Sequence, residues 1–312
     1  MSGSHLSVVF PGQGSQKPRM LSDFFKKFSL LTDTFYDASN IIDIDLVDLI
    51  NNGTVEELSK TEITQPLMLT AGVAMWRLLP EIFTQKIKYL AGHSLGEYSA
   101  LVAAEIITFE EALYLVKNRA RFMQEAVAEG QGGIAAILGL PLSKIDLICS
   151  EISKEKDLLV STANQNSLNQ TVISGTKKGV DKAIIKLLEI GAKRAILLPM
   201  SVPAHCLLMK EASDKFIPLI EEVEFNEPKI SVVQNVDAKV ANDLEGIKER
   251  LVKQIYLPVK WVDTVLFFKK RNISSIFECG PGKVLTSLNK QIFKNSNNLD
   301  LGTLSNFEEL IK

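Results

Sequence analysis

The hydrophobic positions of this chain fall into short runs separated by longer amphipathic segments. The segment KIKYLAGHSLGEYSALVAA (86–104) predicts a short strand, a turn flanked by glycines and an Ala-rich helix. The segment ISSIFECGPGKVLTSLNKQIF (273–293) repeats that order, and LSVVF (6–10) predicts another buried strand. Strands that alternate with helices indicate a mostly parallel sheet covered on both faces. We therefore expect an α/β fold for the main body of the protein.

The pattern changes between residues 128 and 199. Four short apolar runs, GGIAAILGL, LLVSTANQ, QTVISG and AKRAILLP, predict strands, and residues 142–154 and 177–190 predict helices. The order βαββαβ is typical of a ferredoxin-like unit. We predict a large catalytic domain, residues 1–127 and 200–312, with a small subdomain inserted at 128–199 and a ligand cleft between the two.

Several helix starts are marked by polar residues. Thr54 with Glu57 and Thr108 with Glu111 have the spacing of capping boxes, which predicts helices that begin just after each threonine. Pro66 suits a first helical position, so we predict another helix start there. The apolar run from Pro66 to Trp76 ends at Arg77 and predicts a buried helix and not a membrane span.

Composition narrows the class of protein. The chain has 312 residues, of which 46% are hydrophobic, so it can bury a large core. Its 35 basic and 37 acidic residues leave a formal charge of -2, and we expect no general affinity for nucleic acid or for membranes. The start, MSGSHLSVVF, lacks the basic region and the long apolar run of a signal peptide.

The cysteines are equally informative. Cys149, Cys206 and Cys279 are odd in number and widely spaced, which fits neither a disulfide framework nor a zinc site. We therefore expect a cytoplasmic protein. The sequence as a whole implies neither a metal nor an organic cofactor.

The stretch GHSLG (92–96) matches the pattern G-x-S-x-G. Between a strand and a helix this pattern forms a strained turn that lifts the serine hydroxyl above the sheet. The free N–H groups at the start of the following helix favour an anion at the same point. Ser94 is therefore the candidate nucleophile, and the alternative is a small residue in a tight turn.

A serine nucleophile needs a base, and the chain has three histidines. His5 lies at the N-terminus, and we expect the side chain of His93 to point away from its neighbour Ser94. His205, in the turn-rich stretch VPAHC, is left as the candidate base, although a surface histidine in a loop is the alternative. The context of the acidic residues marks none of them as a third catalytic member, and a carbonyl group could orient the imidazole instead.

Residues 109–127 form an amphipathic helix pattern whose apolar arc contains one charged residue, Arg119. A buried arginine needs a partner, because an unpaired buried charge costs several kcal/mol. The partner is either an internal carboxylate or the carboxylate of a ligand, which a guanidinium can bind through two parallel hydrogen bonds.

Two glycine clusters follow predicted strands. Gly12-Gln13-Gly14-Ser15 lacks the third glycine of a dinucleotide site, and Gly280-Pro281-Gly282-Lys283 is followed by valine where a phosphate loop has Ser or Thr. Neither predicts a nucleotide site. The first could supply an N–H to an oxyanion hole, and the second could be a simple turn.

Six stretches together resemble bacterial malonyl-CoA:acyl carrier protein transacylases. They are FPGQGSQ (10–16), GHSLGEYSA (92–100), NRARFMQ (118–124), VPAHC (202–206), QIYLPVKW (254–261) and GPGKVL (280–285). The resemblance covers nearly the whole chain in the same order. It implies a hydrolase-like parallel-sheet core with an inserted ferredoxin-like subdomain.

The resemblance also implies roles for individual residues. Ser94 resembles the acylated nucleophile, His205 its general base, and Gln254 the residue whose main-chain carbonyl holds the histidine. Arg119 resembles the clamp on the malonyl carboxylate. The remaining site residues are Gln13 and Leu95 as oxyanion-hole donors and Asn164 in the cleft.

The implied reaction moves a malonyl group from malonyl-CoA to the phosphopantetheine thiol of holo acyl carrier protein through a malonyl-serine. We expect a monomer. Ala204 stands where the bacterial enzymes usually have serine, which bears on selectivity for malonyl. The alternatives are a trans-acting polyketide acyltransferase, a serine thioesterase or hydrolase, and an idle scaffold that docks the carrier.

Overall fold

The computed structural model describes residues 5–200 and 202–311; residues 1–4, part of the segment used to predict the absence of a signal peptide, lie outside them. The strands are β1 (Leu6–Phe10), β2 (Ile87–Gly92), β3 (Gly132–Leu138), β4 (Val160–Ser167), β5 (Gln170–Thr176), β6 (Arg194–Leu197), β7 (Ser231–Val233), β8 (Ser275–Glu278) and β9 (Asn297–Asp300).

The helices occupy the connections between these strands and the C-terminal end. They are α1 (Ser22–Lys27), α2 (Ser29–Ile42), α3 (Leu46–Asn52), α4 (Val55–Ser59), α5 (Thr61–Arg77), α6 (Glu81–Thr84), α7 (Gly96–Ala103), α8 (Phe109–Glu125), α9 (Leu142–Ile152), α10 (Lys177–Glu189), α11 (Lys210–Glu222), α12 (Leu244–Gln254), α13 (Trp261–Lys270), α14 (Val284–Ile292) and α15 (Leu304–Ile311), with a 3₁₀ turn at Leu207–Met209.

The main sheet has five strands in the order β7-β2-β1-β8-β9, and each neighbouring pair is parallel. Strand β1 is paired on both sides and buried along its whole length, as its mostly apolar sequence predicts. Because the strands are parallel, their carboxyl ends meet at one edge of the sheet. The segments after β1, β2 and β7 come together there, and they carry Gln13, Ser94 and Asn235.

The second sheet has four antiparallel strands in the order β4-β5-β3-β6, with α9 and α10 in the connections. This is the predicted βαββαβ unit. The structure confirms the α/β fold class, with a parallel sheet and a separate antiparallel sheet. Strands β3 to β6 lie inside the segment 128–199, while the division of the chain into two domains at those bounds stays a prediction.

Main-chain hydrogen bonds join the small sheet to the main body. The N–H of Gln165 donates to the carbonyl of Val259 at 3.0 Å, and the N–H of Val259 donates to the carbonyl of Ala163 at 2.9 Å. Strand β4 therefore lies at the boundary of the two sheets, which brings Asn164 and Asn166 towards the end of β2.

Both predicted capping boxes are confirmed, at Thr54 with Glu57 and at Thr108 with Glu111. The predicted helix start at Pro66 is wrong, because α5 begins at Thr61 and Pro66 lies inside it. A proline in the second turn removes only one main-chain hydrogen bond. The residues before it are retained in the helix by burial, since Thr61, Thr64 and Gln65 are all buried.

Helix α5 is buried over most of its surface, as the run from Pro66 to Trp76 predicts. Among the described residues, no helix is both long and apolar enough to cross a membrane. Within the same described ranges, no group of three or more His, Cys, Asp or Glu side chains could hold a metal ion.

Candidate active site

Ser94 lies in the turn between β2 and α7 with a positive φ of 51°. The turn is tight enough that a Cβ on Gly92 would lie 1.9 Å from the carbonyl carbon of Gly96. A Cβ on Gly96 would in turn lie 2.1 Å from the carbonyl oxygen of Phe10. Both glycines are therefore required by close backbone contact, and the predicted strand, turn and helix around Ser94 are confirmed.

His205 contacts Ser94 directly. The distance between Oγ of Ser94 and Nε2 of His205 is 2.7 Å, and Nδ1 of His205 lies 2.7 Å from the main-chain carbonyl oxygen of Gln254. A carbonyl oxygen can only accept, so Nδ1 must carry the proton. Nε2 is then free to accept the hydroxyl proton of Ser94, which is the arrangement a general base needs.

The environment of His205 keeps its imidazole neutral. Burial and, to a lesser extent, the charge of Arg119 lower the pKa of His205 to about 3, although the hydrogen bond to Gln254 opposes both effects. His205 itself is only 3% exposed and has a positive φ of 61°. A neutral imidazole is the form that can accept a proton.

Arg119 projects from α8 into the same site and is 1% exposed. Its Nη1 donates to Oε1 of Gln65 at 2.6 Å, and its Nη2 donates to Oε1 of Gln254 at 3.0 Å and to Oγ of Ser94 at 3.3 Å. Among the described residues no carboxylate forms an ion pair with Arg119, so its direct partners are neutral. The sequence predicted either an internal carboxylate or a ligand carboxylate as the partner of Arg119. In the described part of the chain, no internal carboxylate forms an ion pair with it.

The predicted oxyanion donors lie beside the nucleophile. Gln13 follows β1, Leu95 precedes α7, and both line the cavity that contains Ser94. Within residues 5–200 and 202–311, neither main-chain N–H group donates to a protein acceptor. Two unused N–H groups next to a serine hydroxyl are what an oxyanion hole requires.

The cavity itself measures about 110 Å³. Its polar side includes Ser94, His205, Arg119 and Asn164, and its apolar side is formed by Met123, Ile134, Val172, Leu198, Met200 and Ala204. Arg119 is the one permanently charged side chain among the described residues of its lining. A cavity of this size and composition suits a short acyl group with one negative charge.

A larger and more open cleft of about 400 Å³ lies elsewhere, lined by Lys17, Arg19 and Lys283 among others. Among the described residues, its lining includes hydroxyl groups but no histidine that could activate them, so the chemistry points to the smaller cavity.

The prediction for His93 is wrong. Its side chain does not point away but lines the cavity, where Nε2 lies 2.8 Å from Oδ1 of Asn166 on β4. The ring also packs against Trp261 at a centroid distance of 5.5 Å. Because the turn at Ser94 breaks the alternation of a strand, the residue before it does not follow the pattern of β2.

Sequence reasoning missed three buried polar residues of the site: Gln65, Glu97 and Asn235. Gln65 and Glu97 lie on helices that are buried over most of their length, so a helical wheel of the kind that revealed Arg119 could have found them. Asn235 is the second residue after β7, at the sheet edge where Ser94 and Gln13 also lie. It donates from Nδ2 to the carbonyl of Gly92 at 2.6 Å and accepts from the N–H of Ser94 at 2.7 Å.

Comparisons with known proteins agree with this geometry. Residues 8–295 match the family model described as an acyl transferase domain. The malonyl CoA-acyl carrier protein transacylase of Salmonella typhimurium is 45% identical over 289 residues, which are 93% of each chain. The protein of the same name from Haemophilus influenzae is 42% identical over 302 residues, 96% of each chain.

Solved structures are similar over the whole chain. An acyl carrier protein S-malonyltransferase from Vibrio cholerae has a TM-score of 0.94 at 41% identity, covering 98% of this chain and all of that one. A malonyl-CoA:acyl carrier protein transacylase from Xanthomonas oryzae has a TM-score of 0.95 at 40% identity, covering 100% and 98% of the two chains. A malonyl-transacylase in complex with a type II PKS acyl-carrier protein has a TM-score of 0.94 at 42% identity and covers 99% of each chain.

The strained serine, its histidine and the buried arginine thus occur in a chain whose length and fold match these enzymes throughout. The chain therefore belongs to the malonyl-CoA:acyl carrier protein transacylase family of acyl transferases.

Proposed function

We propose that this protein transfers the malonyl group of malonyl-CoA to the phosphopantetheine thiol of holo acyl carrier protein, and so supplies malonyl units for fatty acid synthesis. The observation that carries the proposal is the position of Arg119. Its buried guanidinium lies 3.3 Å from Oγ of Ser94 and has no carboxylate partner among the described residues. An acyl group that carries its own carboxylate satisfies that charge while its carbonyl carbon reaches the nucleophile.

In the first half-reaction, Oγ of Ser94 attacks the thioester carbonyl and its proton passes to Nε2 of His205. The N–H groups of Gln13 and Leu95 hold the oxyanion, and one such donor is typically worth on the order of 10²-fold to 10³-fold in rate. The carbon–sulfur bond then breaks, and the proton on His205 passes to the coenzyme A sulfur. The product is malonyl-Ser94.

In the second half-reaction, the carrier thiol gives its proton to His205 and its sulfur attacks the ester carbonyl. The bond to Oγ breaks, and His205 returns the proton to Ser94. The free enzyme is restored, and the malonyl group is on the carrier. Each proton transfer uses the same nitrogen, which the hydrogen bond from Nδ1 to Gln254 keeps unprotonated between steps.

Every group in this scheme is a side chain or main-chain atom of one chain. We accordingly propose a monomer that needs neither a metal nor an organic cofactor. The formal charge of -2 supports an enzyme that binds neither nucleic acid nor membranes. Three free buried thiols support a location in the reducing cytoplasm.

Intact mass spectrometry tests the proposal. The protein and its Ser94→Ala variant are each exposed briefly to malonyl-CoA, and holo acyl carrier protein is then added. We expect a malonyl adduct only on the unaltered protein and its transfer to the carrier. Loss of the adduct to water at one rate with and without carrier would indicate a hydrolase instead, and no adduct would indicate a scaffold.

Parallel assays with fatty acid and polyketide carrier proteins identify the carrier. Faster transfer to a polyketide carrier would favour the trans-acting polyketide acyltransferase. That alternative is kept because one similar structure is a malonyl-transacylase with a type II PKS acyl-carrier protein, and because Ala204, which departs from the usual serine, lines the cavity.

A further inference from the structure

Glu97 is a buried acid next to the site, and none of the steps above uses it. It lies in the first turn of α7, three residues after Ser94, and is 1% exposed. Its carboxylate accepts three hydrogen bonds, from Nε2 of Gln254 at 2.8 Å, from the N–H of Asn235 at 3.0 Å and from Nε2 of Gln234 at 3.3 Å. A buried carboxylate with three donors is costly to replace, because each donor would be left without a partner.

The contact with Asn235 leads to the nucleophile. Oδ1 of Asn235 accepts from the N–H of Ser94 at 2.7 Å, and Nδ2 donates to the carbonyl of Gly92 at 2.6 Å. These two bonds span the strained turn from its first glycine to the serine. Glu97 fixes the main chain of Asn235, and Asn235 in turn fixes the turn that presents Ser94.

The contact with Gln254 leads to the other two groups of the site. Nε2 of Gln254 donates to Glu97 and also to the carbonyl of Ser94 at 3.0 Å, so its amide orientation is determined. Oε1 must then face the opposite way, where it accepts from Arg119 at 3.0 Å. The main-chain carbonyl of the same residue accepts from His205.

We propose that Glu97 is a positioning residue for acyl transfer: through Asn235 and Gln254 its carboxylate sets the arrangement of Ser94, His205 and Arg119. The inference rests on the proposed function, because positioning of Arg119 matters only for an acyl group with a negative charge. Glu97 touches neither Ser94 Oγ nor the cavity and so takes no part in bond making.

A carboxylate suits this place better than an amide for two reasons. First, all three neighbours present donors, and a glutamine would turn its own NH₂ group towards at least one of them. Second, the carboxylate adds a negative charge near Arg119. Burial lowers the pKa of Arg119, and Tyr98 and Glu97 oppose that shift.

The main test is the variant Glu97→Gln, which keeps the shape of the side chain and removes the charge. Three rates of Ser94 modification are measured on the folded protein: acylation by malonyl-CoA, acylation by acetyl-CoA, and labelling by a neutral fluorophosphonate. Loss of one hydrogen bond to a charged group corresponds to about 10-fold to 150-fold. We expect malonyl acylation to fall by at least about tenfold, and acetyl acylation and labelling to fall by a smaller factor, because neither needs Arg119.

Glu278→Gln is the matched control. Glu278 is also fully buried, but it accepts its hydrogen bonds from the main-chain N–H groups of Leu285 and Thr286, which are not part of the site. We expect this variant to lower the unfolding temperature and to leave the ratio of malonyl to acetyl acylation unchanged. The control distinguishes the effect of losing any buried carboxylate from the effect of losing the carboxylate of Glu97.

If Glu97→Gln does not fold, Glu97→Asp takes its place, since it keeps the charge and shortens the reach to Gln254. Unchanged rates in the folded variant, or one common factor in all three assays, would overturn the inference. If the unaltered protein is labelled by the fluorophosphonate but not by malonyl-CoA, the proposed function fails. The labelling rate of Glu97→Gln then still tests the connection to Ser94, where we expect a fall.

Discussion

The main-chain carbonyl of Gln254 accepts a hydrogen bond from Nδ1 of His205 at 2.7 Å, in the place where many serine enzymes have a carboxylate. A neutral carbonyl fixes the ring and its tautomer as a carboxylate does, but it does not stabilise the charged imidazolium as strongly. Burial and the charge of Arg119 lower the pKa of His205, and the hydrogen bond to this neutral carbonyl opposes them only in part. The same residue uses its side chain to hold Arg119, so Gln254 joins the base to the cation.

Because the main chain of Gln254 holds His205 and its side chain holds Arg119, the variant Gln254→Ala can separate the two roles. Alanine keeps the carbonyl that holds His205 and loses the amide that accepts from Arg119. We expect malonyl acylation of Ser94 to fall by about tenfold or more, as for loss of one hydrogen bond to a charged group, and fluorophosphonate labelling to change by only a few-fold. Equal losses in the two assays would show that the side chain acts on the base as well.

Arg119→Ala tests the clamp on the acyl carboxylate. A charge-assisted hydrogen bond contributes about 1.5 to 3 kcal/mol, which corresponds to about 10-fold to 150-fold in discrimination against an uncharged acetyl group. We expect the preference for malonyl-CoA over acetyl-CoA to fall by that factor, measured as the ratio of the two kcat/KM values. Arg119→Lys is the control, because lysine keeps the positive charge but lacks the planar guanidinium group. Equal losses of kcat/KM for malonyl-CoA and acetyl-CoA would contradict the role of Arg119 as the clamp.

The pH dependence of the first half-reaction should report Glu97 and not His205. Burial raises the pKa of Glu97 to about 7, while Gln254, Asn235, Gln234 and Arg119 oppose that shift. The charged or titratable groups nearest to it are Arg119 and the neighbouring Tyr98, whose own pKa burial raises. Protonation of Glu97 places an O–H among three donors, so we expect the acylation rate to fall as the pH drops below about 7.

Rapid-quench measurements of malonyl-Ser94 formation between about pH 5 and 8 test this, because the pKa of His205 lies far below that range. Glu97→Gln resembles the protonated form of Glu97. Its rate of malonyl-Ser94 formation should therefore be low and independent of pH, close to the rate of the unaltered protein at low pH. A fall near pH 7 that persists in the variant would assign the titration to another group.

The pKa shifts of Glu97 and His205 change the stability of the fold with pH in opposite directions. The raised pKa of Glu97 stabilises the fold below its ordinary value of 4.5, and that contribution is lost as the pH rises through about 7. The lowered pKa of His205 stabilises the fold above its ordinary value of 6.5, and that contribution is lost as the pH falls towards about 3. We expect Glu97→Gln to gain stability relative to the unaltered protein as the pH rises from about 5 to 8, measured by urea unfolding.

The turn that presents Ser94 should not accept a side chain at its first glycine. A Cβ on Gly92 would lie 1.9 Å from the backbone of Gly96, so Gly92→Ala should destabilise the protein by about 3 kcal/mol or more. Gly191→Ala is the control, because it has open space and only a positive φ of 101°, which costs alanine about 1 to 2 kcal/mol. Similar unfolding temperatures for the two variants would contradict the close contact.

The sequence by itself predicted the alternation of strands and helices, the βαββαβ unit, both capping boxes and the strand-turn-helix at Ser94. These features depend on local patterns of apolar and polar residues and on glycines at fixed spacing, which act over a few residues. The helical wheel likewise identified Arg119 as an interior charge, because that inference needs only the period of one helix. The predicted helix start at Pro66 was wrong because burial of the preceding residues outweighed the preference of proline for the first helical position.

The partners of these residues were decided only by the tertiary structure. Ser94 and His205 are 111 positions apart, and Glu97 and Gln254 are 157 positions apart, so no local pattern connects them. Their contacts exist because the turn after β2 presents Ser94 at the edge of the parallel sheet, where the loop that carries His205 and the end of α12 meet it. The turn at Ser94 placed His93 in the cavity, and α5 and α12 supplied the amide partners of the buried Arg119, which only the arrangement of distant segments could determine.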